Sequence, residues 1–399
     1  MEKTDIKRST GKGMLMAILS LSLLTVMAGA AVAPALGTIR EHFSGVSGTL
    51  VQLIISMPAL FIFLSSFIFP KLCRRFGSRT IVLSGLALYV VGGCCAGLFD
   101  NIWIVLVFRA LVGCGVGLIM PMSTGLLSYY YPPAELDRLM GLSSAMNQMG
   151  GAVATFIAGI LATMSWRAAF LVYLMGLISA VPCALFLPNE MITSGRNDSP
   201  DDMSASEKAG QNESPLKRYF LYVAAMFILM SAFFIYPSNY ALETAKDGIM
   251  SQEMIATVMA LMDVVAFFGG LCYVRLRKSI GGSTHFVAPA LFLIGYLLLS
   301  TASGAVVSVI GSFLVGFANG AGIPCIIAAA SHKAGKTAVS TVMPLLTAAM
   351  YIAQFLSPFM VSAVAVICGG LGLNHLPFTF AAVLAIILAA LAFRMRRSE

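Results

Sequence analysis

Charge is what this sequence has least of. Lys, Arg, Asp and Glu make up 11% of the 399 residues and hydrophobic types 59%, whereas a soluble domain carries roughly 25% charged residues. A chain so poor in charge cannot keep most of its surface in water. It is equally poor in the materials of a catalytic or metal centre. Eight cysteines are present (Cys73, Cys94, Cys95, Cys114, Cys183, Cys272, Cys325, Cys368), with no CxxC or Cys/His ligand spacing among them. No metal site or disulfide framework is expected, and most of these residues lie in apolar runs, where Cys behaves as a small hydrophobe. HExxH, GxSxG and the GxxxxGK[ST] phosphate loop are absent. Neither an enzyme, a nucleotide-driven pump nor a cofactor is expected.

Long apolar runs fill the chain instead. Runs near 20 residues are long enough to cross a bilayer as helices, and these do not alternate as barrel strands would. The fold class read from them is an all-α membrane protein. Twelve spans are expected: 14–37, 48–69, 80–99, 102–128, 138–163, 167–188, 217–240, 252–274, 285–303, 304–328, 338–368 and 376–393. Between the sixth and seventh, 189–216 is polar and too poor in large apolar residues to bury a core, so it reads as a flexible linker. It divides the chain into 1–188 and 217–399. Its two Asn-x-Ser triplets, at Asn197 and Asn212, fall on the side where N-glycosylation does not occur.

Residues 70–79 form a basic knot between two apolar runs. Lys71, Arg74, Arg75 and Arg79 cannot sit in hydrocarbon, so the segment is expected as a loop in water, on the cytoplasmic side. With twelve spans, 21 Lys and Arg fall inside and 3 outside, leaving Arg109 within a span. This places both termini and the linker in the cytoplasm, for a chain in a bacterial-type plasma membrane. The net charge of +8 sits in short clusters between runs, as topology anchors that also attract anionic lipid, and nucleic acid is not an expected partner. Trp103 and Trp166 fall at outer interfaces. A shift of 203 residues superposes Leu111, Val112, Gly113, Gly117 and Pro121 on Leu314, Val315, Gly316, Gly320 and Pro324, Pro34 on Pro237, and Arg74 and Arg75 on Arg277 and Lys278. Two pseudo-symmetric six-helix bundles in one orientation are expected, alternating access around a site between them.

These residues resemble the major facilitator superfamily. Leu72, Arg75, Phe76, Gly77 and Arg79 match its signature between spans two and three. Pro70, Arg74 and Ser78 depart from it, and Arg74 stands where the family has an acid. Arg109 followed by Gly113, Gly115 and Gly117 is similar to the fourth-span signature of proton-coupled members, and 165–170 resembles the Trp-Arg-x-x-Phe that opens the sixth span. The fifth-span antiporter signature keeps Gly150 and Gly159, but Ala154 and Thr155 replace its Gly-Pro. The resemblance implies a monomeric secondary transporter for a small-molecule substrate, coupled to protons. In the family the loop acid pairs across a cytoplasmic gate. Here Glu135 and Asp137, in the loop between spans four and five, are the available anions, expected to close the gate against Arg74, Arg75 or Arg79. Gly77 is expected to supply a positive φ to the turn. Solvated surface charges are the plainer alternative, since exposed pairs contribute about 0–1 kcal/mol.

Charges inside the spans are few enough to weigh singly. Arg109 lies about 10 Å below the outer interface. It either tunes a proton site, anchors an anionic substrate, or caps carbonyls of neighbouring helices. Asp263 lies near the midplane of the eighth span, where a charge costs about 3 kcal/mol and calls for a partner or a wet cavity. As the one acid inside a span it is the candidate proton carrier. Gln52, Asn147, Gln148, Tyr236, Asn239, Tyr240, Asn319 and Gln354 complete a candidate polar cavity, each alone being equally an interhelical hydrogen bond. Methionines such as Met120, Met259 and Met350 would offer it a soft wall. Export of an amphipathic solute is the first reading; a symporter or uniporter for a small anionic metabolite, with Arg109 as its anchor, is the second.

Overall fold

The computed structural model describes residues 12–25, 27–191, 215–334, 342–368 and 375–398. The linker triplets Asn197 and Asn212 lie outside them. Fifteen α-helices are named here in chain order: α1 Lys12–Thr25, α2 Met27–Ala30, α3 Leu36–His42, α4 Gly48–Cys73, α5 Ser78–Cys95, α6 Ile102–Tyr130, α7 Pro133–Met164, α8 Trp166–Ala169, α9 Gly176–Phe186, α10 Pro215–Asp247, α11 Gln252–Ile280, α12 Val287–Ser300, α13 Ala305–Ala334, α14 Met343–Cys368 and α15 Leu376–Ser398. Strands are absent among the described residues. Ten stretches of helix there are long and apolar enough to cross a membrane, one of them the 49-residue Gln252–Ser300. Large apolar side chains such as Val107, Ile178, Leu185 and Val306 stand exposed on the outside. An apolar belt of this kind needs hydrocarbon around it.

Several element boundaries differ from those read off the sequence. The first expected span is broken into α1, α2, a 3-10 turn at Ala33–Ala35 and α3. Pro34 lies within that turn, where it can donate no backbone hydrogen bond. The basic knot is only partly a loop: α4 runs on through Pro70 to Cys73 and α5 starts at Ser78. Helix α11 likewise continues through Arg275, Arg277 and Lys278, which the sequence reading put in a loop. Basic side chains in a last turn complement the helix dipole and reach water beyond it. Glu135 and Asp137 belong to the first turns of α7 rather than to a loop, where acids suit the dipole in turn.

Turns group at two ends. His42 at the end of α3, Asp100 in the turn before α6 and Arg167 in α8 meet at one end, where Arg167 and His42 both bond Asp100. Trp166 is 8% exposed there, under Phe43, His42 and Arg167. The half-wet interfacial ring expected of it is Trp103 alone, at 63% exposed. At the opposite end, which carries the Lys and Arg clusters and is called the basic end below, Pro188, Asn189 and Glu190 dock on the α4–α5 turn. Ser78 donates from N to Glu190 O and from Oγ to Pro188 O, both at 2.8 Å. Gly77 has φ −69°, not the positive value expected. Glycine suits this position for a different reason: a Cβ would lie 2.1 Å from Asn189 Oδ1.

Helices α1–α9 pack mainly on one another, as do α10–α15. The same close approaches recur in both sets. Gly113 of α6 lies over Pro58 O of α4, and Gly316 of α13 lies over Met262 O of α11. Gly92 of α5 lies over Phe108 O, and Gly295 of α12 over Gly311 O. Between the sets runs a seam in which α7 packs on α11, α4 on α14, and α3 on α10.

Candidate functional site

The seam is bonded at the far end and along its middle. Gln52 Nε2 of α4 donates to Asn239 Oδ1 of α10 at 2.6 Å, and Asn239 Nδ2 donates to Ile235 O at 2.9 Å. Gln252 of α11 donates to Pro34 O. Gly29 leaves room for Gln354 of α14; a Cβ there would stand 2.7 Å from Gln354 Nε2 and from Ile55 O. Gly159 of α7 meets the Cβ of Ala256.

Toward the basic end the two sets draw apart. A cavity of ≈630 Å³ opens between α4, α6 and α14, walled by Phe63, Phe67, Met120, Pro121, Thr124 and Tyr351, among others. Among the described residues, no charged side chain lines it. Its size fits the range of small-molecule sites, about 300–1,000 Å³. Tyr351 Oη lies 2.9 Å from Met120 Sδ across it. A second apolar groove of ≈480 Å³ lies on the other flank of α14, against Phe220, Val223 and Phe227 of α10.

Asp263 lies half-buried on α11 in the seam. Its Oδ2 accepts from Thr155 Oγ1 of α7 at 3.4 Å. Sequence reasoning had not named Thr155 as a site residue, although the signal was present. Thr155 stands where the fifth-span signature has its Pro, so the departure from the pattern sets a hydroxyl opposite the acid.

Arg109 of α6 is fully buried and does not meet Asp263. Nε donates to Ile54 O at 2.6 Å, Nη1 to Tyr173 Oη at 2.6 Å, and Nη2 to Ala28 O. Tyr173 Oη also donates to Ala28 O at 3.1 Å. The guanidinium thus ties α2, α4, α6 and the Phe170–Met175 turn together. No acid lies within ion-pair distance of it among the described residues. Of its three sequence readings, the geometry matches carbonyl capping.

The remaining candidates divide. Asn147 Oδ1 accepts from Thr25 Oγ1 at 2.6 Å inside the first set. The Gln148 side chain is half-buried and makes no hydrogen bond among the described residues. Tyr236 stacks on Tyr240 with centroids 4.6 Å apart; Tyr240 Oη pairs with Ser308 Oγ at 2.8 Å. Among the described residues, Tyr236 Oη and Asn319 Oδ1 are buried without a hydrogen-bond partner within normal distance. Arg74, Arg75, Arg79 and Glu135 form no ion pair among the described residues; the Asp137 side chain lies outside them.

This helical pair of units, its glycine contacts and its central seam can be set against known proteins. A profile described as the Major Facilitator Superfamily matches residues 18–358. The chain belongs to this superfamily. Among curated relatives, the methylenomycin A resistance protein of Bacillus subtilis is 30% identical over 162 residues, 40% of this chain and 33% of that protein. The tetracenomycin C resistance and export protein of Streptomyces glaucescens is 33% identical over 103 residues, 26% of this chain and 19% of that protein. The chain thus spans a third or less of the length of these two relatives. Among solved structures, a bacterial homolog of the human lysosomal transporter Spinster, inward-facing and unoccupied, superposes with TM-score 0.77 at 16% identity, over 96% of both chains. A peptide transporter in complex with sulfate superposes with TM-score 0.71 at 15% identity, over 97% of this chain and 95% of that one. At such identities the likeness concerns the fold.

Proposed function

We propose that this superfamily member is a monomeric secondary transporter of the plasma membrane, exporting a small amphipathic organic solute in exchange for protons. Its frame is twelve spans in two six-helix units, 1–188 and 217–399, joined by a cytoplasmic linker, with the basic end and both termini in the cytoplasm. The 49-residue stretch Gln252–Ser300 would measure about 73 Å as one helix, more than twice the ~30 Å hydrocarbon core. The turn at Gly281–Phe286, with Gly281 at φ +55°, divides it into two spans. The broken α1–α3 segment supplies another. The recurring glycine contacts support a two-fold repeat, and parallel repeats of this kind rock about a site between them.

One observation carries the reading: the seam is bonded at the far end, while toward the basic end a cavity of ≈630 Å³, without a charged side chain among its described lining residues, opens between α4, α6 and α14. In the proposed orientation this is an inward-open state offering an apolar solute a drug-sized site. The resistance and export names of the antibiotic relatives support the outward direction. Asp263, with Thr155 across the seam, is the proton carrier, since an isolated carboxyl in this position can accept and release a proton as the units part. Tyr236 and Asn319, with Gln52, Asn147, Gln148, Asn239, Tyr240 and Gln354 around the seam, are the polar groups available to solute or water. Arg109 braces the first unit, which weighs against its serving as anchor for an anionic metabolite. Arg74, Arg75 and Arg79, without an ion pair among the described residues, close on Glu135 and Asp137 when the basic end shuts.

Transport in proteoliposomes tests the reading. A lipophilic fluorescent cation should move against its gradient when a pH gradient is imposed, and stop when that gradient is collapsed. Flux indifferent to the pH gradient would end the coupling claim. Uptake restricted to small anions would favour the metabolite reading instead. The gate is tested separately: Glu135→Lys should raise the labelling of basic-end cysteines such as Cys73, and unchanged labelling would remove Glu135 from the gate.

A further inference from the structure

Away from the seam, a cavity of ≈20 Å³ lies between α10, α12, α13 and α15 beside the Gly281–Phe286 turn. Its walls are apolar except at Thr284, His285 and Cys325. His285 and Cys325 are 5% and 4% exposed. Cys325 Sγ lies 3.3 Å from His285 Nδ1, and Arg277 Nη1 lies 3.3 Å from His285 Nε2. A guanidinium N–H can only donate, and a neutral imidazole has one accepting nitrogen. Nε2 is therefore the acceptor, and the ring proton sits on Nδ1, pointing at the sulfur of Cys325. The buried Cys183 has the opposite polarity: its thiol donates to Ala17 O at 3.5 Å. A carbonyl opposes negative charge developing on that sulfur, whereas the imidazole N–H of His285 favours it through a charge-assisted hydrogen bond.

We propose that Cys325 is a modification site, a thiol that small peroxides oxidise to a sulfenic acid. The sulfur attacks one oxygen of hydrogen peroxide, so that an S–O bond forms while the O–O bond breaks. The departing hydroxide takes the thiol proton and leaves as water. Sulfur loses two electrons and the peroxide gains them. A void of ≈20 Å³ holds about one water-sized molecule, which admits hydrogen peroxide and excludes bulky alkylating reagents. Cys325 directly follows Pro324 in α13, and Arg277 lies in the last turn of α11. An oxygen added between Cys325 and His285 acts on the turn that joins α11 to α12 at the basic end, whatever solute the protein moves.

The test uses the full chain in lipid nanodiscs. Hydrogen peroxide is applied, quenched, and the protein denatured; remaining thiols are alkylated and each cysteine is quantified by mass spectrometry. Cys325 should be lost at least tenfold faster than Cys183, while native-state labelling with a bulky maleimide should leave Cys325 unmodified. His285→Gln should slow Cys325 loss about tenfold and leave Cys183 unchanged. If Cys183 becomes reactive in that variant, the fold has opened, and Arg277→Gln replaces it, with a several-fold slowing expected. Equal rates for Cys325 and Cys183 in the unmodified chain would overturn the proposal. So would a Cys325 rate unaffected by either variant.

Discussion

The two sets of helices share glycine contacts at a spacing of 203–204 residues, yet their interiors are finished differently. At Arg109 the first set has a guanidinium that satisfies Ile54 O, Ala28 O and Tyr173 Oη. At the same register the second set has Ser312, whose hydroxyl turns back to Ser308 O of its own helix, at 2.7 Å. Around it, Tyr236 Oη and Asn319 Oδ1 stay buried and unpaired. Tyr89 Oη is unpaired in the first set as well, edge-on to Tyr173. An unsatisfied buried polar group costs about 1–3 kcal/mol, so a fold keeps one where something else uses it. One repeat is braced from within; the other holds hydrogen-bonding capacity in reserve.

The largest effect should come from removing the brace. Arg109→Ala takes the side-chain donor from Ile54 O and from the Tyr173 hydroxyl and one of two from Ala28 O, at a cost of about 3 kcal/mol, whereas Ser312→Ala should cost less than about 1 kcal/mol. Thermal unfolding in detergent reads both, and equal shifts would mean that the repeats are not differently braced. Next comes Asp263→Asn. It keeps a partner for Thr155 and should leave the unfolding midpoint nearly unchanged, while lowering pH-gradient-driven flux at least tenfold. Retained coupling would remove Asp263 from the proton path. Tyr236→Phe removes a hydroxyl that has no protein partner. Stability should hold or rise by about 1 kcal/mol, and solute affinity should fall several-fold; a clear loss of stability would show that the hydroxyl is needed by the fold.

The smallest effect lies at the far-end turns. The hydrogen bond from Arg167, with a further one from His42, holds the Asp100 carboxyl below its ordinary value of 3.8. A depressed carboxyl contributes stability above its unfolded pKa and loses it as pH falls through the folded one. Asp100→Asn should therefore lower the unfolding midpoint slightly at pH 7, by an amount that shrinks as the pH falls below 3.8. A difference that persists in acid would point to packing rather than to the charge.

Much of this was legible in the chain. The apolar runs, the Lys and Arg clusters and the 203-residue offset pointed to a helical membrane fold of repeated units, because hydrocarbon tolerates only internally bonded backbone and so imposes a strong pattern on composition. Span ends were less legible. The basic turns of α4 and α11 stay helical because long cationic side chains can reach water from within a helix. Gly77 was correctly singled out for the wrong cause, since the close approach comes from Asn189, over 100 positions away. Thr155 was visible as a departure from a signature but had no assigned use until Asp263 stood opposite it.

Composition alone determined that this chain is built from apolar helices with its cations at helix ends, since each helix meets the solvent of the bilayer one residue at a time. Which polar groups pair was decided by tertiary structure. Arg109 reaches carbonyls 55 and 81 positions away, Asp263 a hydroxyl 108 away, and Gln52 an amide 187 away across the seam. Those outcomes depend on how helices distant in sequence are rotated and spaced against one another, and no local pattern encodes that rotation.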